Sequence, residues 1–347
     1  MIDSAIYFRE NIWKKDEYHY EAAYGFIPNI HAYLHSDETV RPCMIVVPGG
    51  GYCMVVGSEG EIVARDFYEM GMNVFVLTYT TDITMSVPLR KQPMNDLSRA
   101  IRYIRANSGR FHVDGNRLAI SGFSAGGHVC ASVATHYPEL SDPDSELNAI
   151  SNRPDAVIVG YPVITAGAFT HQYSIQALLG YTPSEEELTY YSCEKQVHSA
   201  MPPCFIWQTV EDNLVPVENS MMFAESCRKA GVPYAYYAFP RGPHGLSVPF
   251  QKMAELGTGE NYTMEQVDNA VEAVRARQGI RVSEQRRTEL MIQFFGNPEG
   301  VKQETKEKPH FSTADIPSFD DVAMWQDLAK VWLRYQGILP ADANPKD

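Results

Sequence analysis

Short apolar runs alternate with stretches of helical period from about residue 43 to residue 240. The runs at 43–47, 73–79, 118–121, 156–161, 204–209 and 234–239 are short, and Gly, Pro or Asn punctuates most of them. Several are apolar at successive positions rather than alternate ones, which predicts strands covered on both faces. Between them, Ser58-x-x-Glu61 has capping-box spacing and predicts a helix ending near Gly71. Leu97, Ala100, Ile101 and Ile104 follow a helical period and predict a helix over 96–106. Asp96 and Arg99 are expected to form local pairs on its surface. Residues 126–137 and 217–230 read as two further helices, the second stopped by Gly231-Val232-Pro233. This alternation predicts the α/β class, with a central, mostly parallel sheet and helices on both faces.

Three regions depart from the alternation. Residues 1–42 are β-rich and predict antiparallel edge strands. Residues 163–201, rich in Tyr and Glu, form a longer connection that could serve as a lid. Residues 249–318 predict a helical insertion after the last strand, with helix-like patterns at 264–276 and 284–295. A final helix is expected near 320–335, and the whole of 1–347 reads as a single domain.

Composition narrows the partners. The 347 residues are 44% apolar and 21% charged, as in ordinary globular proteins. A net charge of −14 opposes binding to nucleic acid or anionic membrane. The first ten residues have neither a basic n-region nor an apolar h-region, so no signal peptide is expected there. No apolar run approaches the roughly 20 residues that span a bilayer. Six scattered cysteines without a C-x-x-C pair suit a reducing, cytoplasmic setting. The histidines lack metalloenzyme spacing, so neither a metal nor another cofactor is expected.

The chemistry concentrates where strands end. Gly122-Phe123-Ser124-Ala125-Gly126-Gly127 follows one predicted strand and precedes a helix. G-x-S-x-G in that setting is a nucleophile elbow, which stands the Ser124 hydroxyl at a helix N-terminus. Upstream, Pro48-Gly49-Gly50-Gly51-Tyr52 leaves a strand with amides free to face an anion. Gly50, Gly51 and Ala125 are therefore the candidate oxyanion donors. No Lys-Ser/Thr pair follows the glycines, which disfavours a phosphate-binding loop. The strand at 204–209 runs into Glu211-Asp212, and Asp212, deeper in its loop, is the candidate carboxylate with Glu211 competing. The strand at 234–239 ends at Pro243-His244-Gly245, which makes His244 the candidate base. The order Ser, Asp, His suits an α/β hydrolase. His128, one turn into the helix after Ser124, is expected to pack or cap. Tyr52, Tyr161 and Trp207 fall near the expected pocket and are candidate substrate contacts, each equally placed to be core.

PGGGY at 48–52, GFSAGGH at 122–128, YPVIT at 161–165, WQTVEDNLVPVENS at 207–220 and PRGPHGLSV at 240–248 carry a family resemblance. The chain resembles the α/β-hydrolase esterases, and within them the acetyl-xylan and feruloyl-esterase-like carbohydrate esterases. The resemblance covers about residues 40–250 and the last helix. It implies a Ser124–His244–Asp212 triad with oxyanion donors at Gly50, Gly51 and Ala125, acting on a small-molecule or oligosaccharide ester. A small acyl group, acetyl foremost, follows from the resemblance alone. The long insert departs from the compact pattern and could be a lid or a contact in a homo-oligomer. Two other readings stay open: a serine exopeptidase-like hydrolase, and a non-catalytic binding protein on the same scaffold.

Overall fold

The computed structural model describes residues 2, 4–256, 261–279, 282–300 and 319–341. Within these, eight strands form one sheet: β1 Ile6–Asn11, β2 Asn29–Leu34, β3 Arg41–Val47, β4 Asn73–Thr78, β5 Val113–Phe123, β6 Ala156–Gly160, β7 Cys204–Thr209 and β8 Tyr234–Phe239. Their spatial order is β1-β2-β4-β3-β5-β6-β7-β8. β1 pairs with β2, and β2 with β4, in antiparallel register; every other neighbouring pair is parallel. The expected edge strands in 1–42 are thus present.

The described helices are α1 Glu61–Glu69, α2 Gln92–Ala106, α3 Ala125–His136, α4 Ser145–Asn148, α5 Gln172–Leu179, α6 Glu185–Tyr190, α7 Glu218–Ala230, α8 Phe250–Leu256, α9 Glu265–Arg275, α10 Glu284–Phe295, α11 Asp320–Ala323 and α12 Trp325–Tyr335. They cover both faces of the sheet, which explains the unbroken apolar runs. Along β3, Cys43, Ile45 and Val47 join one buried cluster, while Met44 and Val46 join the other. Complete burial of each such Val or Ile contributes roughly 1.5–3 kcal/mol. The architecture is an α/β-hydrolase fold.

Local details differ from the sequence pattern. α2 starts at Gln92 rather than 96, because Pro93 sits at its first turn, where a missing N–H costs nothing. The capping box at Ser58 does not form; residues 57–59 make a short 3-10 turn, and Gly60 precedes α1 without a side-chain cap. Asp96 and Arg99 are buried rather than paired on the surface. The leading segment covers that face of α2: Trp13 donates to Asp96 at 2.8 Å, and Arg99 pairs with Glu17 and Asp142.

The insert is helical where described, as α8, α9 and α10, and residues 301–318 lie outside the described residues. It packs beside the antiparallel end of the sheet. Tyr262 stacks on His31 with centroids 3.5 Å apart, and Gln266 accepts from the Thr81 amide at 3.0 Å. No helix among the described residues is long and apolar enough to cross a membrane.

Candidate active site

Four loops at the carboxyl end of the parallel strands build the site. The turn after β5 holds Ser124 at φ +52° and ψ −121°, a strained conformation for a residue with a Cβ. The sharpness depends on its glycines. A Cβ on Gly122 would strike the Gly126 carbonyl, and one on Gly126 would strike the carbonyls of Val47 and Pro48. Backbone bonds lock the turn in place: the Ser124 amide donates to Gly160 O at 3.1 Å, and the Val163 amide to Ser124 O at 3.1 Å.

The other two members of the expected triad come to this serine. His244 Nε2 lies 2.8 Å from Ser124 Oγ, and its Nδ1 lies 2.8 Å from Asp212 Oδ2. Asp212 Oδ1 accepts from the amides of Leu214 and Val215, each at 2.9 Å. Gln208 Nε2 donates to Oδ2 at 3.3 Å. These donors fix the carboxylate in place. The side chain of Asp212 is fully buried, whereas Glu211 is exposed and takes no part. The His244 loop is tethered from two sides: Thr209 Oγ1 donates to Gly242 O at 2.8 Å, and the Trp325 indole to Ser247 O at 3.0 Å.

A cavity of about 560 Å³ opens onto Ser124 and His244. Gly50 and Gly51 line it, and Ala125 opens α3 directly after the serine. Its walls include Met54, Val56 and Leu214, with His171 and Tyr173 at one side. Those last two residues come from the 163–201 connection and carried no signal in the sequence.

The three aromatic residues expected to touch substrate sit elsewhere; none of them lines this cavity. Tyr52 is buried with its hydroxyl 2.6 Å from His128 Nδ1. Trp207 is buried against Trp325, stacked at 5.1 Å. Tyr161 packs its ring edge-on against His244 at 4.7 Å and so steadies the imidazole. Strand-end aromatics point into the packing under the loops, and the loops themselves form the cavity. His128 packs as expected, its Nε2 2.8 Å from the Tyr191 carbonyl. Burial holds it neutral, with its pKa lowered to about 4.

Glu59 is a further buried acid at the site. Its Oε2 accepts from the Gly49 amide at 2.6 Å and its Oε1 from the Tyr161 hydroxyl at 2.7 Å. Burial raises its pKa, opposed by hydrogen bonds from Tyr161 and Gly49. It therefore ties the glycine loop to the residue that flanks His244. Among the described residues, no group of three or more His, Cys, Asp or Glu is placed to hold a metal ion.

A mostly parallel sheet with a serine on a strained strand-to-helix turn defines the class as an α/β hydrolase. Comparison with known proteins narrows it. Residues 30–227 match the BD-FAE family, and the chain belongs to that family. It is 57% identical over 267 residues to endo-1,4-beta-xylanase B of Butyrivibrio fibrisolvens, a match covering 77% of this chain and 42% of that protein. It is 29% identical over 209 residues to the acetylxylan esterase of Xylanibacter ruminicola, covering 58% and 40%. The chain thus spans about two fifths of the length of these relatives. Among solved structures, it is similar to the acetyl ester-xyloside bifunctional hydrolase of Caldicellulosiruptor lactoaceticus. That match has 34% identity and a TM-score of 0.66, and covers 77% of this chain and 96% of the other. The carboxylesterase Cest-2923 of Lactobacillus plantarum shares the fold, with 23% identity and a TM-score of 0.64 over 97% and 99%.

Proposed function

We propose that this protein is a serine carboxylic-ester hydrolase that removes small acyl groups, acetyl foremost, from xylo-oligosaccharide-like esters. One observation carries the reading: an unbroken hydrogen-bond chain from Asp212 through His244 to Ser124, ending in an open cavity. The acetylxylan esterase and acetyl ester-xyloside hydrolase among its relatives support the choice of substrate.

The reaction is two-step acyl transfer. His244 Nε2 takes the Ser124 proton as Oγ attacks the ester carbonyl, and Asp212 stabilises the resulting imidazolium. The amides of Gly50, Gly51 and Ala125 receive the oxyanion. Loss of one such donor typically costs about 3–4 kcal/mol of barrier. His244 then returns the proton to the departing sugar oxygen, and water, activated by the same imidazole, releases the acid from Ser124.

The test is acetate release from acetylated xylo-, manno- and gluco-oligosaccharides, set beside cleavage of an aminoacyl amide. Ester turnover with preference for the xylo series is expected, together with covalent labelling of Ser124 by a fluorophosphonate. Cleavage of the amide in preference to every ester would overturn the reading in favour of an exopeptidase. An unlabelled Ser124 without turnover would leave a binding protein.

A further inference from the structure

We infer that Tyr173 and His171 form a sugar-recognition subsite beside Ser124, with Arg286 from the long insert holding Tyr173 in place. The inference rests on the esterase reading above and names what grips the leaving group. Tyr173 lines the cavity while 43% of the residue stays exposed. Behind its ring lies Gly51, where a Cβ would come within 3.4 Å of Tyr173 Cδ1. The ring is therefore backed by the glycine loop, and its remaining surface is open to a ligand.

Its orientation is not left to chance. Arg286 Nη2 donates to the Tyr173 hydroxyl at 3.3 Å and to Ile83 O at 2.6 Å. Arg286 belongs to α10, so the insert and the 163–201 connection meet at this ring. An aromatic fixed before binding loses little freedom when a ligand stacks on it. His171, two residues earlier, lines the same cavity, with Nδ1 2.7 Å from Oγ of the buried Ser174. Among the described residues its Nε2 has no hydrogen-bond partner in the protein, and it is a polar group available to a hydroxyl. A flat apolar platform next to a directed polar atom suits a pyranose, which offers C–H faces and a rim of hydroxyls. In a sugar acetate one oxygen separates the acyl carbon from the ring, so a carbonyl at Ser124 brings the ring to the neighbouring wall.

The experiment measures kcat/KM on acetylated xylotriose and on ethyl acetate, which has no ring to stack. In Tyr173→Ala the sugar-to-ethyl-acetate ratio is expected to fall about tenfold, the scale of one stacking contact. Tyr173→Phe keeps the face but loses the hydroxyl that Arg286 holds, and is expected to lower the ratio about threefold, less than Tyr173→Ala. Arg286→Ala frees the ring and is expected to lower the ratio about threefold; it decides the matter should Tyr173→Ala fail to fold. Equal changes on both esters, or none on either, overturn the subsite while the esterase reading stands. A parent protein that cleaves ethyl acetate but releases nothing from any acetylated sugar overturns the carbohydrate reading and the subsite together.

Discussion

Asp96 and Asp212 are both buried carboxylates, each gripped by several donors, yet they serve opposite ends. Asp96 accepts from the Trp13 indole, the Thr80 amide and Gln92, each at 2.8 Å. Beside it Arg99 reaches Ile12 O, Glu17 and Asp142. All of these partners are fixed, and together they join the leading segment to α2. Asp212 is held as firmly by the Leu214 and Val215 amides, but one of its partners is an imidazole that continues to a hydroxyl in a cavity. A buried charge becomes chemistry only when one neighbour can carry a proton to a place where substrate arrives.

Substitutions can break this contrast, and the largest effect is expected at the serine. Ser124→Ala should lower kcat on acetyl esters by about 10⁶-fold while the circular dichroism spectrum is preserved. Turnover retained in a clean preparation would end the proposed mechanism. Asp212→Asn keeps the shape but loses the charge that selects the tautomer, and should lower kcat about 10⁴-fold. A drop of tenfold or less would mean that Asp212 does not orient His244. Asp96→Ala should act on stability instead. It strands three donors, so urea denaturation should show a loss of about 3 kcal/mol. The kcat of its folded fraction should stay within about twofold of the parent, and a loss on the scale of Asp212→Asn would erase the distinction.

The smallest expected effect is a pH dependence. Burial lowers the pKa of His128 to about 4 and that of His31 to about 3. Both groups are depressed in the folded state, so their contribution is present above the unfolded value near 6.5 and fades as pH falls. Between pH 7 and pH 5 the loss from His128 alone should be about 2 kcal/mol, read from urea midpoints. An NMR titration showing His128 protonated at pH 6 would contradict this origin.

The residues of the proposed triad were legible because their constraints are local. A serine between glycines after an apolar run, and a histidine between Pro243 and Gly245, each declare a loop at a strand end. The structure brings Ser124, Asp212 and His244 within hydrogen-bond reach, with Asp212 buried beside the imidazole and Glu211 exposed. What stayed hidden depends on contacts distant in sequence. Glu59 lies inside a stretch with capping-box spacing, but its carboxylate is drawn to Gly49 and Tyr161. Asp96 and Arg99 sit between the apolar positions of a helix and read as a solvent face. Nothing near them announces that Trp13 and Glu17 will cover it. Tyr52, Tyr161 and Trp207 look like pocket residues by position, and only three-dimensional packing turns them inward.

The meeting of Tyr173 with Arg286 sets one cavity wall apart from the strand-end turns that hold Ser124, Asp212 and His244. The proposed nucleophile and proton relay stand on turns pinned to the sheet, where a Cβ on Gly122 or Gly126 would collide with backbone. One wall of the cavity is formed by His171 and Tyr173 of the 163–201 connection, and the insert reaches that wall through Arg286. Under the proposed function, one sugar preference could therefore be exchanged for another at the side chains of that wall, with the proposed triad kept intact.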